Sequence, residues 1–349
     1  MSLHTNNPSK EAALVEIFGR SRVSVMPVPA DIDNTHSFKY LLEKVALLGH
    51  DSKLLSNNSA NSWELLKAAV RSTLEQIPFQ NLSLMIGGIE NTKTEELGLC
   101  FDRNVHLLEQ LKNLGFQSGR VVGARTRFFC ETDENCRKIE RGVPLAFNHI
   151  VLLVTLEDQD YLVDVGNGFP YFTPLAITAV VGTSNQSIGN HTFLEYRVRM
   201  ISSAPMTFSM EHCRPRERTV WKGNYTFCPD DVLSDHDVAQ IIHDHANDRS
   251  FGHMLHSLRI NCWSMNGVSV MLRDLDACLV HPDGVHEEIK INSADKLAGF
   301  VKRFFGEGMY SKLNKAAPIL LENVKMKETP APRLVGILLD YISRDSTNP

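Results

Sequence analysis

The chain has 349 residues, 43% hydrophobic and 22% charged, which is typical of a globular protein with two or three domains. Its formal net charge of −5 argues against a nucleic-acid-binding protein, which usually carries a basic face. No apolar run is long enough to span a bilayer, and the first residues do not resemble a signal peptide. Seven cysteines without regular spacing indicate reduced thiols. We therefore expect a cytoplasmic protein that binds neither nucleic acid nor a membrane.

The first third of the chain has the hydrophobic spacing of helices. This spacing predicts one helix over Ser9–Phe18 and a second over His36–Leu48. A third helix is predicted to begin after Asn61-Ser62 and to end near Gln76. Pro78 follows that end, and proline disfavours helical geometry in the residue before it.

Cys100 is the candidate nucleophile. It lies where a glycine-containing loop enters a fourth predicted helix, which ends near Gly115. One face of this helix carries four residues at helical spacing from the cysteine, namely Asn104, Leu107, Leu108 and Leu111. A helix N-terminus stabilises a thiolate, which is the nucleophilic form of cysteine. The alternative for this position is a buried and unreactive cysteine.

The pattern changes after Gly119 to short segments rich in β-branched residues, which predict strands. These strands are Val121-Val122, Ile150–Leu156, Tyr161–Val165, Thr192–Val198 and Arg218–Trp221. From about Ser234, a stretch rich in aspartate and histidine leads to a final mixed part. Its predicted strands are Ser257–Asn261, Val268–Arg273 and Glu287–Ile291, and its predicted helix is Ser293–Phe305 with Ser293 as cap.

His149 begins one of these strands and Asp164 lies near the end of the next. With a turn centred on Asp158-Gln159, both residues point to the same face of the hairpin. Strict register places Asp164 opposite Leu153, however, which is roughly 13 Å from His149. A bulge, a strong twist or a shifted register is therefore needed. If the residues meet, Cys100 can act as nucleophile, His149 as its base and Asp164 as the carboxylate that orients the imidazole.

These residues resemble the motifs of the arylamine N-acetyltransferases over roughly residues 60–175. That family has an Ile-Pro-Phe-Glu-Asn-Leu segment, an Arg-Gly-Gly-x-Cys-x-Glu-x-Asn segment, a strand that begins with histidine and a Val-Asp-Val-Gly-x-Gly segment. The corresponding segments here are Ile77–Leu82, Gly98–Asn104, His149–Val154 and Tyr161–Gly166. No single motif is decisive, but together and in this order they are specific.

The resemblance implies an α+β, multi-domain fold with a cysteine-protease-like Cys-His-Asp core. An N-terminal helical bundle over residues 1–125 would carry the nucleophile Cys100. A central β-barrel over residues 126–233 would carry His149 and Asp164, and an α/β lid over residues 234–349 would follow.

The resemblance also implies an acyltransferase with a ping-pong mechanism. Cys100 would take an acetyl or other acyl group from acyl-CoA as a thioester and pass it to an arylamine, hydrazine or related amine. His149 would move the protons, Asp164 would hold the imidazole, and backbone N–H groups near Cys100 would stabilise the oxyanion. Acyl-CoA is thus the expected co-substrate and a small amine the acceptor, and the oligomeric state is not predicted.

No metal is expected. Five histidines lie between Asp235 and His256 together with Asp235, Asp237 and Asp244, but their spacing fits no standard zinc motif. We therefore interpret this stretch as a solvated helix or loop.

The residues around the predicted triad depart from the family pattern in three places. Glu96-Leu97 replace the family's Arg-Gly before the cysteine, and Gln80 replaces a glutamate that resembles its ion-pair partner. We predict that a Gln80–Glu96 hydrogen bond replaces this pair. Asp102 stands where the family has the longer glutamate, whereas the family's asparagine is retained as Asn104. We assign a supporting role to Gln80, Glu96, Asp102 and Asn104.

Three further residues are predicted to contact the substrate, namely Phe147, Asn167 and Gly168. Asn167 stands where family members vary a residue of the acceptor pocket. About ten additional residues around Phe128–Val143 form a polar insertion that is predicted to overhang the cleft.

Three alternatives use the same residues for other functions. An amide synthase would close a macrolactam from a carrier-bound acyl chain, and would not acetylate a simple aromatic amine with acetyl-CoA. In a hydrolase or transglutaminase-like enzyme, the acyl-enzyme would break down equally fast with and without amine. In a non-enzymatic binding scaffold, Cys100 would react with iodoacetamide no faster than the other cysteines.

Overall fold

The structure, a computed structural model, describes most of the chain after residue 58. The described ranges are 59–87, 98–126, 147–168, 170–177, 184–187, 194–213, 221–247, 254–264, 267–325 and 332–345. The helices predicted at Ser9–Phe18 and His36–Leu48, and the insertion at Phe128–Val143, lie outside these residues. Among the helices that are described, none is both long and apolar enough to cross a membrane.

Within the described part of the chain, three helices and one short strand precede the barrel. They are α1 (Ser59–Gln76), β1 (Phe79–Gln80), α2 (Leu82–Gly87) and α3 (Cys100–Asn113). As predicted, α1 ends just before Pro78 and α3 begins at Cys100, although α1 begins slightly earlier than expected. The predicted apolar face of α3 is buried, and Gly115 after it has a φ of 94°, a conformation that favours glycine.

Eight antiparallel strands form the barrel. They are β2 (Gly119–Thr126), β3 (His149–Leu156), β4 (Gln159–Val163), β5 (Leu175–Ala176), β6 (Ser184–Ser187), β7 (Glu195–Ser203), β8 (Met206–Cys213) and β9 (Lys222–Val232). They pair in the order β5-β4-β3-β2-β9-β8-β7-β6. The two outer strands, β5 and β6, approach each other, so the sheet is nearly closed. Strands β5, β6 and β8 were not predicted. Of the strand expected at Arg218–Trp221, only Trp221 is among the described residues, and β9 begins one residue after it.

Strand β3 is buried on both faces, as its continuous apolar run suggests. Its even-numbered residues pack in the core that also contains Cys100, and its odd-numbered residues face the barrel interior. The first set is Ile150, Leu152 and Val154, and the second is Val151 and Leu153. Because side chains alternate along a strand, His149 belongs to the interior side.

The turn between β3 and β4 differs by one residue from the prediction. Glu157 and Asp158 form it, with φ values of 48° and 61°, a geometry that matches the twist of a two-residue hairpin. The expected centre at Asp158-Gln159 is therefore wrong. Asp160 belongs to β4 instead, where its carboxylate lies 2.6 Å from the guanidinium of Arg120 on β2.

A second antiparallel sheet follows the helix α4 (Asp235–Asn247). Its strands are β10 (Arg259–Cys262), β11 (Ser269–Arg273), β12 (Asp276–Val280) and β13 (His286–Lys290). The order is β1-β10-β11-β12-β13, so the edge strand β1 comes from a segment that precedes Cys100 in the chain. The three strands predicted here correspond to β10, β11 and β13, and β12 was missed.

Two C-terminal helices cover this sheet, namely α5 (Ala294–Lys325) and α6 (Pro332–Asp345). The predicted cap is present, since the backbone N–H of Lys296 donates to Ser293 Oγ at 3.2 Å. Gly306, with a φ of 83°, divides α5 into two helical pieces, and the predicted helix corresponds to the first. The short helix α2 packs into the same core as α5. The domain boundaries at residues 125 and 233 stay a prediction.

Candidate active site

Cys100, His149 and Asp164 meet where α3 packs on the barrel. The Nε2 atom of His149 lies 2.8 Å from Oδ2 of Asp164, and the imidazole also hydrogen-bonds with the Cys100 thiol. Since Nε2 faces the carboxylate, Nδ1 is the ring atom left for the sulfur. Asp164 is completely buried, and Cys100 and His149 are only 7% and 6% exposed.

The shifted turn explains how His149 reaches Asp164. Leu152 pairs with Val163, so the ladder continued by one residue places Asp164 opposite Val151. The offset from His149 is then two residues instead of four, roughly 7 Å along the strand. Long side chains span such a diagonal between neighbouring strands.

Asn104 links the nucleophile's helix to both other members of the site. Its Nδ2 donates to the carbonyl oxygen of Ile150 at 2.8 Å and to Oδ1 of Asp164 at 3.0 Å. Its Oδ1 accepts from the backbone N–H of Val165 at 2.9 Å. Asn104 follows Cys100 by one helical turn and is fully buried, so a single amide fixes the position of α3 relative to the barrel.

Further donors surround the Asp164 carboxylate. The backbone N–H of Gly166 donates to Oδ1 at 2.9 Å, and the hydroxyl of Tyr225 on β9 also hydrogen-bonds with the carboxylate. Burial acts to raise the pKa of Asp164, but the charge of His149 and these hydrogen bonds hold it below its usual value. Sequence reasoning missed Tyr225, whose ring centroid lies 5.0 Å from that of His149, because nothing in its strand distinguishes it from other core aromatics.

The charges in the site favour a protonated imidazole. Burial alone would lower the pKa of His149, but the negative charges of Asp164 and Cys100, with hydrogen bonds to both, raise it to about 10. The imidazolium is therefore held between a carboxylate and a sulfur at neutral pH.

Replacing Cys100 with serine should lower the pKa of His149, because a neutral hydroxyl does not supply the negative charge of the sulfur. In NMR titrations of the imidazole nitrogens, we expect the parent protein to lose the His149 proton only near pH 10. The serine variant should lose it at a lower pH. An identical titration in both proteins would show that the sulfur does not contribute to the charge of the ring.

The loop before α3 is held in place by two supporting residues. The backbone N–H groups of Gly98 and Leu99 both donate to Oδ2 of Asp102 at 3.3 Å. Burial raises the pKa of Asp102, although these two hydrogen bonds act in the opposite direction. From the other side, the N–H of Gln80 donates to the carbonyl oxygen of Gly98 at 2.9 Å.

The Gln80 side chain has partners of its own. Its Nε2 donates to Ser83 Oγ at 2.6 Å, and its Oε1 accepts from the Ser83 N–H at 2.9 Å. Its backbone lies so close to the loop that a Cβ on Gly98 would be 2.3 Å from the Gln80 carbonyl oxygen. Glu96 and Leu97 lie outside the described residues, so the Gln80–Glu96 hydrogen bond stays a prediction.

The segment after Asp164 lies directly against the nucleophile. A Cβ on Gly166 would be 2.1 Å from the Cα of Cys100, so only glycine fits there. Asn167 is buried beside it, and the Gly168 carbonyl accepts from Nδ2 of Asn261 on β10 at 3.2 Å. This bond connects the site to the second sheet.

Phe147 is half-buried beside the core that contains Cys100. Its ring packs on the backbone of Gly123, where a Cβ would be 2.6 Å from it, and the guanidinium of Arg125 lies 4.1 Å from the ring centroid. The substrate contacts predicted for Phe147, Asn167 and Gly168 stay predictions.

The first part of the histidine-rich stretch, Asp235–Asn247, forms α4, and residues 248–253 lie outside the described ranges. In the part that is described, no group of three potential metal ligands comes together.

Sequence comparison identifies two kinds of relative. A family model described as N-acetyltransferase matches residues 62–312. An N-malonyltransferase of Gibberella moniliformis is 31% identical over 126 residues, which are 33% of this chain and 36% of that protein. The alignment thus spans about a third of the length of this curated relative.

Solved structures share the fold at low sequence identity. The arylamine N-acetyltransferase from Mycobacterium abscessus matches with a TM-score of 0.59 and 15% identity, over 83% of this chain and 99% of that one. The enzyme from Salmonella typhimurium matches with a TM-score of 0.57 and 19% identity, over 89% and 99%. These structures have the same arrangement of helices around a nearly closed sheet. Because the family model spans more than half of the chain, the protein belongs to the arylamine N-acetyltransferase family and is an N-acyltransferase enzyme.

Proposed function

We propose that the protein transfers an acyl group from acyl-CoA, through a thioester on Cys100, to an arylamine, hydrazine or related amine. The observation that carries this proposal is the buried contact of His149 with Asp164 at 2.8 Å, with the same imidazole bonded to the thiol. Family membership supports acyl transfer as the reaction. A similar solved structure, the arylamine N-acetyltransferase of Mycobacterium marinum, is a complex with CoA, which supports acyl-CoA as the donor.

In the first half-reaction, the Cys100 thiolate attacks the carbonyl carbon of the thioester. The bond between that carbon and the CoA sulfur breaks, and the leaving thiolate takes a proton from the His149 imidazolium. Unpaired N–H groups at the start of α3 are suited to stabilise the oxyanion, because the first turn of a helix leaves such donors free. Asp164 holds the imidazole by Nε2 so that Nδ1 stays directed at the sulfur.

In the second half-reaction, the amine attacks the acyl-cysteine. The neutral His149 accepts the proton that the amine nitrogen loses, and Cys100 leaves as a thiolate. The site therefore returns to the thiolate–imidazolium pair with which it began. The buried setting of the three residues limits the access of water, which would otherwise hydrolyse the acyl-cysteine.

We further propose that the acyl group is acetyl or malonyl, and that Phe147, Asn167 and Gly168 contact the acceptor. The family name supports acetyl, and the partial match to an N-malonyltransferase supports malonyl. Among the described residues, a Cβ on Gly168 would have only the Asn261 side chain within 4 Å, at 3.9 Å, so these residues leave room for a ligand beside it. Asn167 lies within three residues of Asp164, next to the nucleophile.

Intact-protein mass spectrometry after incubation with acetyl-CoA or malonyl-CoA tests this proposal. We expect the parent protein to gain the mass of one acyl group from at least one donor, and Cys100→Ser to gain none. Cys278→Ser, which removes a partly buried thiol on β12, should behave like the parent. Adding an arylamine should then remove the adduct and release the amide. An adduct that persists in Cys100→Ser would contradict the assignment of Cys100 as the nucleophile. An adduct that decays equally fast with and without amine would indicate a hydrolase.

A further inference from the structure

Helix α4 carries one histidine whose surroundings differ from those of the other two. His236 and His243 are exposed, whereas His245 is only 6% exposed. His245 lies on the face of α4 that also carries Val238 and Ile241, and these apolar residues pack in the same core as Cys100. The buried end of α4 is therefore next to the site, although α4 supplies none of the three triad residues.

His245 contacts the chain neighbours of both the nucleophile and its base. Its ring lies edge-on to Phe101, which follows Cys100, with centroids 4.8 Å apart and an interplanar angle of 67°. The imidazole also hydrogen-bonds with the backbone of Asn148, which precedes His149. Its Nδ1 lies 2.9 Å from the carbonyl oxygen of Ile241 in the preceding turn of α4, which orients the ring.

We propose that His245 is a positioning residue that sets the spacing between Cys100 and His149, an inference that rests on the proposed function of these two residues. Asn148 is already bonded to β2, since its N–H donates to Ala124 at 3.2 Å and its Oδ1 accepts from the N–H of Thr126 at 2.7 Å. Those bonds attach the start of β3 to the barrel but not to α3. Asn104 on α3 already bonds the carbonyl oxygen of Ile150, which follows His149. His245 supplies a second connection, on the side of Asn148, because one ring touches both segments.

The charge of the ring is consistent with this role. Burial lowers the pKa of His245, and the positive charge of His149 lowers it further. The backbone hydrogen bonds to Ile241 and Asn148 and the charge of Asp244 on α4 act in the opposite direction but do not prevail. A neutral His245 avoids placing a second positive charge beside the His149 imidazolium, and its single N–H donates either to Ile241 or to Asn148 at any one time.

Two substitutions separate positioning from packing. His245→Leu removes every N–H and keeps an apolar side chain, whereas His245→Gln keeps an N–H donor of similar reach. In the leucine variant, we expect the iodoacetamide reaction of Cys100 and kcat to fall about tenfold, with the KM for acyl-CoA changed by less than about twofold. The glutamine variant should retain both rates within about threefold. His236→Leu, on the exposed side of the same helix, should match the parent.

Each outcome has a defined meaning. A folded leucine variant whose Cys100 reacts at the parent rate overturns the inference, and so does a folded glutamine variant that is as slow as leucine. If thermal melting shows that the leucine variant does not fold, His245→Phe is measured in its place. If neither variant folds, the alkylation rate of the glutamine variant alone tests the inference. Failure of the proposed function is recognised separately, because then Cys100 of the parent reacts no faster than its other thiols.

Discussion

Replacing Asp164 with asparagine is expected to lower the rate of amine acylation by about 10³- to 10⁴-fold. The carboxylate accepts hydrogen bonds from His149, Asn104 and the N–H of Gly166, and a neutral amide does not have the charge to hold an imidazolium. Loss of that charge also lowers the pKa of His149, so the ring no longer stays protonated beside the sulfur. Steady-state acylation and the alkylation rate of Cys100 both measure the effect.

Asp160→Asn provides the matched control for this substitution. Asp160 also lies on the β4 side of the hairpin, but its carboxylate pairs with Arg120, and both side chains are about 30% exposed. We expect its loss to change the acylation rate by less than about threefold, because partly exposed ion pairs contribute little. A similar loss in both variants would indicate that damage to the hairpin, and not the charge of Asp164, lowers the rate.

Gly166→Ala is expected to have the second-largest effect, lowering the alkylation rate of Cys100 by at least about 100-fold. The new Cβ would lie 2.1 Å from Cα and 2.6 Å from Cβ of Cys100, so either α3 or the segment after Asp164 must move. Overpacking of this kind also costs about 1–3 kcal/mol of stability. Alkylation followed by mass spectrometry, and chemical denaturation, measure the two consequences.

Gly168→Ala is the control for the steric argument. Of the residues that the structure describes, a Cβ at Gly168 would meet only Nδ2 of Asn261, at an ordinary contact distance of 3.9 Å. Alkylation by iodoacetamide needs no bound substrate, so it should proceed at the parent rate even if acceptor binding changes. Equal losses in the two variants would refute the view that close packing on Cys100 makes Gly166 necessary.

The sequence was sufficient to predict the local elements that carry the site. Helix α3 was predicted from its regular apolar spacing, and strand β3 from its long and unbroken apolar run. Recognition of the family and of an enzyme is confirmed by the family model. The common face of His149 and Asp164 was also anticipated, since it depends only on the parity of residues along two strands.

The distance between His149 and Asp164 was not predictable in the same way. It depends on whether Asp160 belongs to the turn or to β4, where it meets Arg120, which lies 40 residues earlier in the chain. Strands β5, β6, β8 and β12 were also missed, although apolar and polar residues alternate from Met206 to Glu211 in β8. The contacts of Tyr225 and His245 with the site come from tertiary packing alone, which local patterns do not encode.

The hydrogen bonds of Asn104 also bear on how the enzyme becomes active. They join residues 46 and 60 positions apart in the chain, so they form only after α3 has docked on a folded hairpin. Until then, Cys100 is not in contact with His149, and His149 is not yet held by Asp164, so Cys100 is an ordinary thiol. In a newly synthesised chain, Cys100 therefore lacks the activation that His149 provides until the helices have docked on the barrel. The rate at which Cys100 is labelled during refolding thus reports when α3 docks on the barrel.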